Sequence, residues 1–541
     1  MGSLPETQDI RAASQNAQKH VASPDHSLSI ATAIMMGSVL LSRVIGLVRE
    51  MVMARYGGTT SDMDAYVTAF IIPELLNHFL AGGFLSITFI PIFQRHLVNG
   101  RRDEAWRSFS NLFCIGTLLF IVIVPVTMVA APLIMRLLGP QIQNPQTYAL
   151  TVKLTRIILP AQLFFYWGAF FSAVQMAQKR FFLPALAPLC YNGGIIVAGI
   201  ILAPRLGIEG FAWGVCGGAL IGNVVIQVPG ALRSGMKFTF VLDWRHTDVF
   251  LYIKKTIPLV LGLGMTFSNE LFFRFFGTFL PAGSTASVNY ALRTMMMLVA
   301  VFGQASGFAF YPYLTKLAAE KKFEEMATLL NMTLRRIAIY LVPLSAIMAL
   351  LSRQVISLLY ERGRFDAQST RETSSVFIVY LFGSFVFSAA LIIARSFYAQ
   401  QKMVLPMAVS TIVSLLTIPL YLLFSSFMGG RGIALAAVVG MTLQCAVLYS
   451  VWCTRQGVWH KAREEAVVAG KILAITIFAL MVAFPLRAAA TSFIVFENLL
   501  LRNGVQSFVV AIPVLAVIFL LYDRLGVQRL KDSLQGFLRR R

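Results

Sequence analysis

The chain has 541 residues, 57% of them hydrophobic and only 13% charged, with a mean hydropathy of +0.72. That composition excludes a soluble globular enzyme, whose single core cannot absorb so much apolar sequence. The net charge of +22 on a soluble chain would indicate nucleic acid, but on an apolar chain it must first be sorted by loop; it then reads as an orientation signal and anionic-lipid contact, with no nucleic-acid partner.

About fourteen stretches reach the ~20 apolar residues that a helix rising 1.5 Å per residue needs to cross a ~30 Å hydrocarbon core. The predicted fold is therefore an all-α polytopic membrane protein. Residues 1–26 are polar, lack the apolar core and cleavage site of a signal peptide, and are expected to form a cytoplasmic N-terminus. Spans follow at 27–56, 62–96, 107–138, 148–177, 181–203 and 208–232, then at 248–281, 285–315, 324–352, 372–400, 405–427 and 432–454. Two more, at 465–487 and 500–523, precede a basic tail at 524–541. With the N-terminus inside, about 24 Lys and Arg fall on cytoplasmic connections and about 10 outside, which predicts that both termini are cytoplasmic. Pro73, Gly82, Gly83, Pro258, Gly262 and Gly264 interrupt spans, as bundles lining a cavity tolerate.

The two halves repeat. Ala177-Gln178 and Leu183-Pro184 match Ala399-Gln400 and Leu405-Pro406 at an offset of 222 (177 to 399, 184 to 406), as Gly207, Gly210, Ala212 and Gly218 match Gly429, Gly432, Ala434 and Gly440. Phe89-Ile90-Pro91 matches Phe310-Tyr311-Pro312 at an offset of 221 (89 to 310). Six spans separate equivalent positions, so the copies keep the same membrane orientation. The reading is two parallel six-helix lobes, 27–232 and 248–454, with a substrate path between them and 465–523 as an addition.

Charges inside spans cost at least ~2.5–3.5 kcal/mol on insertion scales, so they mark water, partners or ligands. The first span carries Arg43, Arg49 and Glu50, the second Asp64 and Glu74, the seventh Glu270 and Arg274, the eighth Arg293, the tenth Arg395 and the thirteenth Lys471. Glu270 and Arg274 are spaced i, i+4, so a self-contained ion pair competes with a substrate role. Arg395 and Lys471 either snorkel to a helix end or face the path. Arg43, Arg49 and Arg293 outnumber nearby carboxylates, and clustered guanidiniums offer a fixed fork of donors to phosphate oxygens. The competing reading of Arg49, beside Glu50, is that it marks the outer end of the first helix.

Catalytic chemistry is not written in this chain. It has no GxxxxGK[ST] loop, no HExxH, no acidic metal motif, and its five cysteines lack metal-ligand spacing and read as packing residues. We expect no catalytic residues, no metal and no cofactor.

Several segments resemble the MurJ/MviN lipid II flippases of the multidrug/oligosaccharidyl-lipid/polysaccharide exporter superfamily: "SRVIGLVRE" at 42–50, Asp64-Ala65, "FIIPELL" at 70–76, "QKRFFLPALAPLCYN" at 178–192, "VNYALRTMMM" at 288–297, "LLYERGRFD" at 358–366 and "RSFYAQQKMVLP" at 395–406. The resemblance implies a fourteen-helix bundle that moves undecaprenyl-pyrophosphate-linked peptidoglycan precursor from the inner to the outer leaflet of a bacterial inner membrane. It implies substrate-binding roles for Arg43, Arg49, Asp64 and Arg293, and a lipid-tail groove in the last two helices. Glu74, Asn77, Glu270, Arg274 and Arg395 complete the expected polar cavity. Relatives often carry Arg at the position of Asn77 and Glu at that of Gly82, so part of the family's polar set is absent here. The expectation is a monomeric secondary-type transporter in contact with membrane lipids, driven by membrane potential or an ion gradient. The alternatives are export of another polyprenyl-linked glycan and multidrug or cation antiport. Antiport calls for a carboxylate-rich cavity, against the Arg surplus.

Overall fold

A computed structural model of the chain describes residues 26–78, 84–139, 142, 144–263, 268–493, 496 and 498–527. The predicted polar N-terminus, all but the first residues of the basic tail, and the departure at Gly82 lie outside the described residues.

The first half runs α1 (His26–Gly57), α2 (Ser61–Ala69), α3 (Ile71–Leu76), α4 (Phe84–Val98), α5 (Arg102–Leu138), α6 (Pro145–Ile158), α7 (Ala161–Ala177), α8 (Phe182–Leu206), α9 (Glu209–Leu220) and α10 (Gln227–Arg233). The second runs α11 (Thr247–Leu263), α12 (Ser268–Gly277), α13 (Ser284–Leu298), α14 (Ala305–Ala319), α15 (Phe323–Leu350), α16 (Ser352–Tyr360), α17 (Ala367–Ala399), α18 (Val404–Met428) and α19 (Gly430–Gln456), followed by α20 (Trp459–Phe493) and α21 (Leu499–Arg524). Among the described residues, eleven helical stretches are long and apolar enough to cross a membrane. The other three expected spans correspond to α1, to the broken series α2–α4, and to the pair α11 and α12.

The breaks have local causes. Pro73 lacks the N–H that would bond the carbonyl of Ala69, and that carbonyl accepts Thr155 Oγ1 at 3.3 Å instead. A π-helical turn at Ile221–Val225 precedes Pro229, and another at Val299–Gln304 joins α13 to α14. Helices start where a side chain accepts an orphan N–H: Asn144 takes that of Gln146 at 2.8 Å, and Asp366 that of Ser369 at 2.8 Å.

The backbone carries the repeat as well as the sequence does. Left-handed residues recur at the same offsets: Gly100 and Lys321, Lys179 and Gln401, Gly207 and Gly429, Gly235 and Gly457. Helices α8 and α18 are each 25 residues long, and each closes on one of these glycines, Gly207 or Gly429. Lipid provides no hydrophobic drive between helices, so close packing of small residues does the joining. Thus Gly199 of α8 lies on the ring of Phe211 in α9, and Gly440 of α19 on Thr417 of α18.

One buried cluster combines Met63, Tyr66 and Phe211 of the first half with Phe276, Tyr290 and Phe377 of the second. A second is largely of the first half and a third of the second, while a fourth packs α20 and α21 against α15 through Ile347, Ile475 and Val514. Helix α11 packs on α4 and α5 of the first half and on α18 of the second, and α12 packs on α13, α18 and α19 while also touching α2 and α3. The seventh span therefore touches both halves. The connections at 58–60, 278–283 and 351–366 meet at one end of the bundle, here called the upper end.

Candidate functional site

At the upper end, short groups join the halves. Asp64 in α2 accepts the backbone N–H groups of Gly283 at 2.5 Å and Ala286 at 2.7 Å, capping α13 across the halves. Arg364 N–H donates to the carbonyl of Arg55 at 2.9 Å, and Thr59 Oγ1 meets Ser369 Oγ at 2.7 Å. Two glycines make this approach feasible. Gly283 (φ +88°) and Gly363 (φ +63°) adopt left-handed backbone, and a Cβ on either would stand 2.2 or 2.3 Å from the carbonyl oxygen of Thr59 or Arg55. Beneath them the rings of Tyr290, Tyr360 and Phe365 pack in tilted and edge-to-face contacts, with centroids 5.1 to 5.7 Å apart.

Below this lock lies a charged network. Arg49 donates to Asn192 Oδ1 at 2.9 Å and to Glu50 Oε1 at 2.6 Å, and Asn289 of the second half donates to Glu50 Oε2 at 3.5 Å. Glu50 is buried, and α1 continues to Gly57, so Arg49 stands inside the network rather than at the helix end. A second chain crosses the halves. Arg274 bonds both oxygens of Glu74, one at 2.8 Å, and reaches Glu270 Oε2 at 3.4 Å. Arg293 grips Glu270 with two bonds of 3.1 Å. Helical spacing brings Glu270 and Arg274 within reach, but each has a better partner on another helix. The self-contained pair is therefore corrected to a link in the series Glu74–Arg274–Glu270–Arg293. Arg293, whose own span has no acid, is likewise paired from the neighbouring span.

Arg43, on the exposed side of α1, donates to Gln304 Oε1 at 3.2 Å. Arg395 donates to the Gln304 carbonyl at 3.4 Å and lies over the ring of Phe308, 4.4 Å from its centroid. The π-helical turn that ends at Gln304 thus presents its backbone and side chain to two arginines. Lys471 is exposed and donates to the carbonyl of Leu525 at 3.5 Å, the helix-end arrangement. Asn77 is half-buried at the end of α3, and among the described residues no hydrogen bond joins it to the network.

Sequence reasoning left Asn192, Asn289 and Gln304 out of the site and did not count Glu50 in it. Amides in apolar spans were the available signal, since buried polar groups in lipid need partners. The network holds Arg49, Arg274 and Arg293 against Glu50, Glu74 and Glu270, and Arg43, on Gln304, adds a fourth cation with no carboxylate partner among the described residues. Within it, the buried Nε donors of Arg49 and Arg274 have no partner among the described residues. A charge surplus with unused guanidinium donors is chemistry for an anion.

The comparisons with known proteins bear on the family and the fold. The family model described as "Lipid II flippase MurJ" matches residues 53–503. The lipid II flippase MurJ of Burkholderia cenocepacia is 27% identical over 421 residues, covering 76% of this chain and 81% of that protein. The probable lipid II flippase MurJ of Treponema pallidum is 27% identical over 422 residues, with 76% and 79% covered. Among solved structures, a lipid II flippase MurJ in an inward closed conformation superposes with a TM-score of 0.75 at 23% identity, covering 92% of this chain and all of that one. An inward-facing multidrug resistance MATE transporter reaches 0.64 at 14% identity, with 79% and 99% covered. Those two likenesses establish the fold. The family-model match over most of the chain goes further: this multi-pass bacterial membrane protein belongs to the lipid II flippase MurJ family.

Proposed function

We propose that this chain flips undecaprenyl-pyrophosphate-linked peptidoglycan precursor from the inner to the outer leaflet of the bacterial inner membrane by alternating access, as a secondary-type transporter. The two lobes are 27–232 and 248–454, the tail groove is 465–523, and both termini are cytoplasmic, so the upper end faces outside. The arginine–carboxylate network beneath a closed upper end carries this reading. It supplies guanidinium forks for a diphosphate, and it links the lobes whose rocking would change the accessible leaflet.

In the empty protein the carboxylates of Glu270 and Glu74 hold the arginines ready. An arriving diphosphate replaces them, since phosphate oxygens accept the same bidentate bonds. Energy comes from the membrane potential or an ion gradient, and the transporter acts as a monomer. A second reading, export of another polyprenyl-diphosphate glycan, draws on Asn77, which leaves the network without a contribution from α3 beyond Glu74.

The test is transport per folded molecule for Arg293→Lys and Arg293→Ala, with abundance and melting temperature measured alongside. Lys keeps the charge and loses the fork, so partial transport is expected, and little or none for Ala. Loss of a charge-assisted bond is worth about 1.5–3 kcal/mol, or about tenfold or more in headgroup affinity. A well-folded Arg293→Ala protein with normal flipping would defeat the assignment. Depleting the protein in its native cell, and finding which lipid-linked precursor accumulates, separates the two readings.

A further inference from the structure

A second cluster of arginines lies at the upper end, away from the central network. A cavity of about 350 Å³ opens where the first turn of α16, the upper end of α20 and the first turns of α21 meet. Arg353, Arg487 and Arg502 line it, one from each helix, and among the described residues Glu361 is the one acid in its wall. Among the described residues, no side chain forms an ion pair or hydrogen bond with any of these three guanidiniums. Glu361 accepts a bond from Thr370 Oγ1 at 2.9 Å instead. Three like charges around one cavity, on the face of the chain where Lys and Arg are scarce, repel one another unless an anion sits among them.

Two further features describe that anion. Gln354 lines the same cavity and is only 7% exposed, yet its Oε1 has no partner among the described residues. A buried acceptor beside three cationic donors fits a ligand that carries a hydroxyl next to its negative charge. The walls are held in place: Asn503 of α21 donates to Ser357 Oγ of α16 at 2.8 Å, and both residues are buried. Along α21, Val505 and Val509 lie one and two turns from Arg502 on its own stripe, and along α20 Phe484 lies one turn from Arg487; all three are exposed. An apolar stripe below a basic cavity matches a lipid, with its headgroup in the cavity and its acyl chains on the stripe.

We propose that this cavity binds the phosphodiester and hydroxylated headgroup of an anionic lipid. The leaflet, the outer one, rests on the orientation given above; the site itself does not depend on the role of the central network.

The full-length protein in detergent is titrated with phosphatidylglycerol, phosphatidylcholine or inorganic pyrophosphate, with bound species counted by native mass spectrometry. The wild type is expected to prefer phosphatidylglycerol over phosphatidylcholine by about tenfold or more. The triple variant Arg353→Gln, Arg487→Gln, Arg502→Gln should lose that preference, the matching triple Lys variant should keep part of it, and the pair Arg371→Gln, Arg431→Gln, at another upper-end cavity, should leave it intact. Equal binding of the two lipids by the wild type, a measurement that needs no variant to fold, would overturn the proposal. So would a folded triple Gln variant with unchanged selectivity. Pyrophosphate binding that the triple variant abolishes, without any preference for phosphatidylglycerol, would assign the site to a free anion and overturn the lipid. Labelling of a cysteine at the exposed Gln368, in the first turn of α17, from the cytoplasmic side alone would overturn the outer-leaflet assignment.

Discussion

The halves of this protein are joined in two regions, one above the other, by opposite means. In the upper lock the contacts are short and mostly backbone: Asp64 on the N–H groups of Gly283 and Ala286, and the Arg364 N–H on the Arg55 carbonyl. In the central network they are side chain to side chain, Arg274 on Glu74 and Asn289 on Glu50. Backbone contacts cannot lengthen without moving whole helices, so the lock is made or broken as a unit. A guanidinium can exchange a carboxylate for a phosphate with little motion. Closure and binding are thus separable, and mutations should pull them apart.

The largest effect is expected at Gly283. Gly283→Val places a branched side chain on left-handed backbone against the Thr59 carbonyl, a combined cost of about 2–5 kcal/mol. The upper end should open. In a background with the native cysteines replaced by alanine, a cysteine at the buried Ser287 should then react with an outside reagent, while headgroup affinity per folded molecule stays near normal. If affinity falls with accessibility unchanged, closure and binding are not separate.

Next comes Glu270→Gln, the converse case. It removes the bidentate partner of Arg293 and one partner of Arg274, and should destabilise by less than the about 3–5 kcal/mol of a fully buried pair, because Glu270 is about one-third exposed. Headgroup binding should tighten, since Arg293 no longer has to release a carboxylate. Weaker binding at unchanged stability would show instead that Glu270 touches the substrate.

A smaller change is expected for Asp64→Asn. One side-chain oxygen replaces two, so a single N–H of α13 stays capped, and the loss should be about 0.5–2 kcal/mol. The same cysteine at Ser287 should gain intermediate reactivity, with Gly283→Val as the upper limit.

The smallest effect is at Asp366, at the start of α17. The Ser369 backbone N–H and hydroxyl both donate to its carboxylate and hold its pKa below the ordinary value. A lowered folded pKa means that the stabilisation is present above the unfolded value of ~3.9 and is lost as pH falls through the folded one. Melting temperature should therefore drop below about pH 4 in the wild type. Asp366→Asn, itself a good cap, should lose that part of the pH dependence and change little at neutral pH.

Span length, apolar composition and the 222-residue offset are local or additive properties of the chain, so the sequence by itself determined the membrane class, the order of the helices and their duplication. It also singled out the arginines, because a charge inside an apolar run is conspicuous whatever surrounds it. It did not determine their partners. Arg293 pairs with Glu270 from 23 positions away and Arg274 with Glu74 from 200, and nothing in either local stretch distinguishes those carboxylates from others. Asp64 was legible as a charge near a span start, but its task became visible only when folding set α2 against the N-terminus of α13. The three arginines at the top of α16, α20 and α21 carry no distinguishing signal in the sequence, since at span ends they look like ordinary helix-terminal cations. Only the tertiary structure brings them around one cavity, because the helices that carry them are adjacent in space and far apart, or separated by a turn, along the chain.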